Sequence, residues 1–111
     1  MSNSRIDRLY KFLEEDPDDP FVRFALATEY RKIGEVERAL HWFEHLIEDR
    51  PDYVGTYYHL GKLYGDLGRI ADAREVFTRG IETASLIHDF HSISELRSAK
   101  MQLEESSDEL V

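Results

Sequence analysis

Leu26, Ala27, Tyr30, Gly34, Ala39 and Phe43 recur 34 residues later as Leu60, Gly61, Tyr64, Gly68, Ala73 and Phe77. The positions between them keep step, Ile33 with Leu67, Val36 with Ile70 and Ile47 with Ile81. A unit of this length cannot bury its apolar face alone, so copies must stack on one another. That requirement excludes a globule built around one irregular core. It also gives each apolar residue a counterpart against which its environment can be compared.

The period within each unit is helical, and punctuation sets the boundaries. A first helix is expected over Ser4–Glu15, with a stripe at Ile6, Leu9, Phe12 and Leu13, and Ser4 with Asp7 resembling a capping box. Pro17 ends it. Asp19 as N-cap and Pro20 at the first helical position open the second helix, which stops at Gly34, a residue suited to a left-handed terminus. The third helix is expected over Glu35–Asp49, the fourth over Val54–Leu67, and the fifth from Ile70 toward Ile87. Asp89 then caps a sixth over Phe90–Glu105, with a sparse stripe of Phe90, Ile93, Leu96 and Leu103. The prediction is one all-α domain over 1–105. It comprises a half-repeat at 4–16, repeats at 20–53 and 54–87, a cap helix at 89–105 and a disordered tail at 106–111. Leu9, Phe12 and Leu13 align with Phe43, Leu46 and Ile47, so the first helix reads as the second half of a repeat.

These residues carry a resemblance. The spacing Leu26–Ala27–Tyr30–Gly34–Ala39–Phe43–Pro51, with its echo from Leu60 to Phe77, resembles the tetratricopeptide repeat (TPR), in a small bacterial-type TPR domain protein. The resemblance implies an α-solenoid of antiparallel helix pairs, about six helices in all. The departures are Arg23 at an early bulky position, Leu46 and Gly80 where alanine is usual, and Ser85 in place of the closing proline. The family also implies a function: a non-enzymatic scaffold or adaptor whose concave groove holds a peptide or helix of a partner protein. The groove-facing positions carried over are Phe21, Phe24, Thr28, Arg31 and Lys32, then Gly55, Tyr58, Lys62 and Asp66. They lie off the core stripes and combine aromatic with cationic side chains, the types favoured at binding hot spots. Some relatives grip a C-terminal carboxylate with lysines, asparagines and an arginine. Phe24, Thr28 and His59 stand at three of those places, so that clamp is not expected here.

Composition narrows the alternatives. There is no cysteine, and the net charge is −9. Residues 101–111 hold four acidic and no basic side chains, whereas 21–100 hold 11 basic and 13 acidic ones. Without a basic stripe, nucleic acid is not an expected partner. No run approaches the roughly 20 apolar residues of a membrane span, so the expectation is a cytoplasmic protein without membrane contact. His41 and His45 sit one turn apart and could chelate zinc. They oppose the stripe Val36–Ala39–Phe43–Leu46, however, and read as a solvated face. No catalytic residue, cofactor or metal is assigned. The second functional reading is a structural protein associating with itself through its ends; the expected state of the chain is a monomer or a weak homodimer.

Overall fold

The computed structural model describes residues 4–109, with side chains placed through Ser106. It contains six helices: α1 (Ser4–Glu15), α2 (Pro20–Lys32), α3 (Val36–Asp49), α4 (Gly55–Asp66), α5 (Ile70–Leu86) and α6 (Phe90–Glu109). Among the described residues there is no strand. The chain divides into two compact units, Met1–Tyr53 and Val54–Val111, and the division falls between the two expected repeats.

In the first unit, Asp19 caps α2 through its carboxylate, which accepts from the Phe21 amide at 2.9 Å and the Val22 amide at 3.4 Å. The helix ends in a Schellman turn. Gly34 takes φ +81°, and the Glu35 amide reaches back to the Tyr30 carbonyl at 2.9 Å. Ser4, expected to open a capping box with Asp7, is the first described residue and already lies in α1, so the expected cap falls at the edge of the described residues. α2 and α3 pack as an antiparallel pair. Leu26, Ala27, Tyr30, Ala39, Phe43, Leu46 and Ile47 are buried between and around them. α1 lies on α2, fastened by a 2.8 Å hydrogen bond between the Tyr10 and Tyr30 hydroxyls. The edge of Trp42 against the Tyr10 ring, centroids 6.2 Å apart, supports the same contact. Trp42 therefore serves packing, pinning the half-repeat helix.

The second unit repeats the pair as α4 and α5 and adds α6 against both. Gly68 takes φ +78°, and the Arg69 amide returns to the Tyr64 carbonyl at 2.9 Å. α5 lacks a proline stop and runs one turn longer than α3. It ends in the same turn built on His88, at φ +57°, with the Asp89 amide on the Ala84 carbonyl at 2.9 Å. Asp89 then caps α6 through the Ser92 amide and hydroxyl, at 3.1 and 2.7 Å. The buried stripe of α6 is Ile93, Leu96 and Ala99; Phe90, expected in it, is 72% exposed. As the first residue of the helix, Phe90 precedes the turn that contacts α5. α6 also continues through Ser106–Glu109, where a disordered tail is expected. No glycine or proline interrupts that stretch, so helix propagation continues at little cost. Leu110 and Val111 lie outside the described residues.

Candidate functional site

Within the first unit, two elements divide the residues expected in the groove. Phe24 is half-buried. Its ring meets Phe43 edge-on at 6.1 Å and lies 5.8 Å from Tyr53, so much of it serves packing. Burial, reinforced by the Asp19 charge, raises the Tyr53 phenol above its usual value. Thr28 is half-buried, and its hydroxyl donates to the Ala25 carbonyl at 3.0 Å. Arg31 is half-buried and Lys32 exposed. Phe21 is 67% exposed and belongs elsewhere. It shares a cleft with Arg5, Leu9 and Phe12 of α1, and so is set apart from Phe24. Although the two stand one turn apart on α2, Phe24 packs on Phe43 of α3 and Phe21 lines the cleft beside α1.

In the second unit, Tyr58, Lys62 and Asp66 follow one another at helical spacing along α4, off the buried row Tyr57–Leu60–Tyr64. Tyr58 and Lys62 are half-buried, Asp66 and Gly55 exposed. The Tyr58 ring stands edge-on to His59, centroids 5.5 Å apart. Lys62 and Asp66 are brought together with Gln102 of α6 in a cleft of about 100 Å³. Gly61 and Gly65 form its α4 side. An added Cβ at Gly61 would overlap the Phe77 ring, 2.3 Å away, whereas one at Gly65 would make a tight 3.3 Å contact with Leu103 Cδ1. Gly61 thus lets α5, and Gly65 lets α6, come close to α4, and Lys62, Asp66 and Gln102 line the cleft that remains.

His41 and His45 are exposed, with rings 6.0 Å apart. Among the described residues no group of three or more His, Cys, Asp or Glu side chains converges. His45 Nδ1 instead lies 3.5 Å from the guanidinium of Arg23.

Arg23 is the residue that sequence reasoning missed. Read as a mere departure at a bulky position, it is 2% exposed. Its guanidinium pairs with Asp49 at 2.9 Å and donates to the Asp18 carbonyl at 2.9 Å, while Nε has no partner. A cation so placed must keep both contacts or be left as an uncompensated buried charge. It therefore ties the loop before α2 to the end of α3. The available signal was its register mate, Tyr57, a core residue: equivalent positions share equivalent burial.

Residues 27–68 match the family description "TPR repeat", and residues 54–85 match "Tetratricopeptide repeat". A TPR repeat-containing protein of Pseudomonas aeruginosa is 31% identical over 91 residues, spanning 82% of this chain and 87% of that one. The solution structure of a tetratricopeptide repeat domain protein from Salinibacter ruber is 51% identical. It covers 81% of this chain and 91% of its own, with a TM-score of 0.78. The TPR2B domain of yeast Sti1, in its complex with pHsp70, is 15% identical and shares the fold. Its TM-score is 0.83, over 91% of this chain and 81% of that one. Helix pairs, turn glycines and buried small-large contacts thus coincide with matched repeats and with relatives aligned over most of the chain, which belongs to the tetratricopeptide repeat family as an all-α helical-repeat protein.

Proposed function

We propose that this chain is a non-enzymatic protein-interaction module that holds a peptide or helix of a partner protein on the outward faces of its first-type helices, in the cytoplasm. The observation carrying this reading is a match between α2 and α4. Phe24, Thr28 and Lys32 on α2 stand in register with Tyr58, Lys62 and Asp66 on α4, each row one turn apart and off the buried stripe. An aromatic ring beside a cation on a rigid helix offers apolar contact and charge at little entropic cost. The yeast Sti1 domain, bound to pHsp70, shows the same fold engaged with a protein ligand. Among the described residues no helix is long and apolar enough to cross a membrane.

Arg31, Lys32 and Lys62 suit a neutral-to-acidic segment with an apolar anchor, while Asp66 limits how acidic its end near α6 can be. Tyr58 is the better test position, because Phe24 also supports Phe43 and Tyr53. Affinity capture from the native lysate compares the wild type with Tyr58→Ala/Lys62→Ala. Partners recovered only by the wild type, with a loss of about 1 kcal/mol or more per side chain in titration, support the reading. Equal recovery by both proteins removes α4 from the site.

A further inference from the structure

Comparison of equivalent positions reveals an unfilled place on α1. Arg5, Leu9 and Phe12 stand 34 residues before Ala39, Phe43 and Leu46. All three α3 residues are 0% exposed; Leu9 is buried likewise at 8%, but Phe12 is 54% exposed and the Arg5 side chain 59%. α3 is covered by α2, the first helix of its pair; among the described residues no helix stands in that relation to α1. The result is a cleft of about 240 Å³, with Leu9 and Phe12 facing Phe21 and Ala25 of α2 and with Arg5 and Arg8 on its rim.

α6 has the opposite deficit. It is a first-type helix with no second helix following it among the described residues. Its outer side carries Met101, 60% exposed, beside a cleft against α5 of about 500 Å³. The charges are ordered. Along α6 run Arg97, Met101 and Glu105; along α1 run Arg8, Phe12 and Glu15, each about one turn from the next. Placed antiparallel, as paired helices in this fold run, Arg97 meets Glu15, Met101 meets Phe12 and Glu105 meets Arg8. Placed parallel, arginine meets arginine and glutamate meets glutamate. Arg5 and Glu104 keep their own partners, Glu29 at 3.0 Å and Arg74 at 3.7 Å, so Arg8 and Glu105 form the new pair.

We propose that the outer face of α6 docks antiparallel into the α1–α2 cleft of a second copy of this chain, completing a repeat across the two molecules. The occupant is another copy because one chain carries both halves of the match. The contact is heterologous, since each copy offers one α6 face and one α1 face. It stands apart from the groove on α4 and does not depend on it.

Sedimentation of the full chain, from micromolar concentrations to about 1 mM, is expected to show a weight-average mass rising with concentration. Phe12→Asp and Met101→Asp, both on exposed positions, each block one face and are each expected to sediment as monomers. Mixed in equal amounts, they retain one intact face apiece and are expected to form a 1:1 dimer that grows no further. A second pair keeps the test independent of the apolar substitutions. Arg8→Glu alone is expected to abolish association, and Arg8→Glu/Glu105→Arg in the same chain to restore it. A wild type monomeric throughout overturns the proposal. So does association that survives either Asp variant, a mixture that stays monomeric, or a charge swap that fails to restore the contact.

Discussion

Gly80→Ala sets two arguments against each other. The position is usually alanine in this family, and an interior helical Gly→Ala change gains about 1 kcal/mol of helix propensity. Resemblance alone therefore predicts stabilisation. The structure predicts the reverse. A Cβ at Gly80 would lie 2.6 Å from Tyr57 Cβ and 3.0 Å from Leu96 Cδ1, against ordinary carbon contacts of about 3.5–4.0 Å. Tyr57 Cβ is one bond from the α4 backbone, so rotating the ring does not relieve the overlap; α4 and α5 must separate by about 1 Å. A gap of that size forfeits a quarter to a half of each contact's attraction along the seam, which Tyr57, Leu60, Phe77 and Leu96 line at 2% exposure or less. Overpacking of this kind costs about 1–3 kcal/mol, and the propensity gain offsets part of it. The expected net loss is up to about 2 kcal/mol, or up to roughly 10 °C in melting temperature for a chain of this size. Urea unfolding followed by far-ultraviolet circular dichroism reads the change as a lower midpoint at constant slope. A midpoint raised above that of the wild type, by the amount helix propensity alone predicts, would refute the close approach of the two helices at this residue.

Three further substitutions read other features. Thr56 is fully buried and its hydroxyl has no partner, whereas its register mate is Val22; Thr56→Val should raise stability by about 1 kcal/mol in the same urea titration. His88 holds a left-handed conformation where the other two turns use glycine, so His88→Gly should raise it by about 0.5–1 kcal/mol, visible as a higher thermal midpoint. The Ser92 hydroxyl, and next its amide, hold the Asp89 carboxyl below its usual value. The resulting stabilisation is present above the unfolded value of about 3.9 and is lost as pH falls through the lower folded one. Asp89→Asn, still a competent cap, should therefore differ most from the wild type near neutrality and converge with it in acid, when urea midpoints are measured across pH.

What could be read from the sequence was whatever two equivalent positions agree on. Tyr30 and Tyr64, Phe43 and Phe77, and Gly34 and Gly68 each repeat a residue with one structural job, and burial or backbone conformation follows for both copies. The candidate face on α4 was legible for the same reason, since Tyr58 and Lys62 sit off a stripe that the first repeat defines. The single-copy devices were not legible. His88 makes the glycine turn without glycine because a lengthened α5 moves that turn off the period. Phe21 faces the cleft beside α1, and its register mate is Gly55, which carries no side chain to compare with it.

Where equivalent positions disagree, the disagreement is itself structured. Leu46 and Gly80 are register mates, as are Arg23 and Tyr57, and all four are buried. One repeat combines a large Leu46 with the slender, ion-paired Arg23; the other combines Gly80 with the broad ring of Tyr57, in direct contact. Close packing forces such a trade, because an interior at crystal-like density leaves no room for both large choices and tolerates no void from both small ones. Each departure from the family pattern, taken alone, looks like a weakening of the repeat. Taken as pairs, the two departures describe alternative fillings of one kind of space. Transplanting a single residue between the repeats, Leu46 into position 80 or Arg23 into position 57, is therefore far more disruptive than either repeat's own composition suggests.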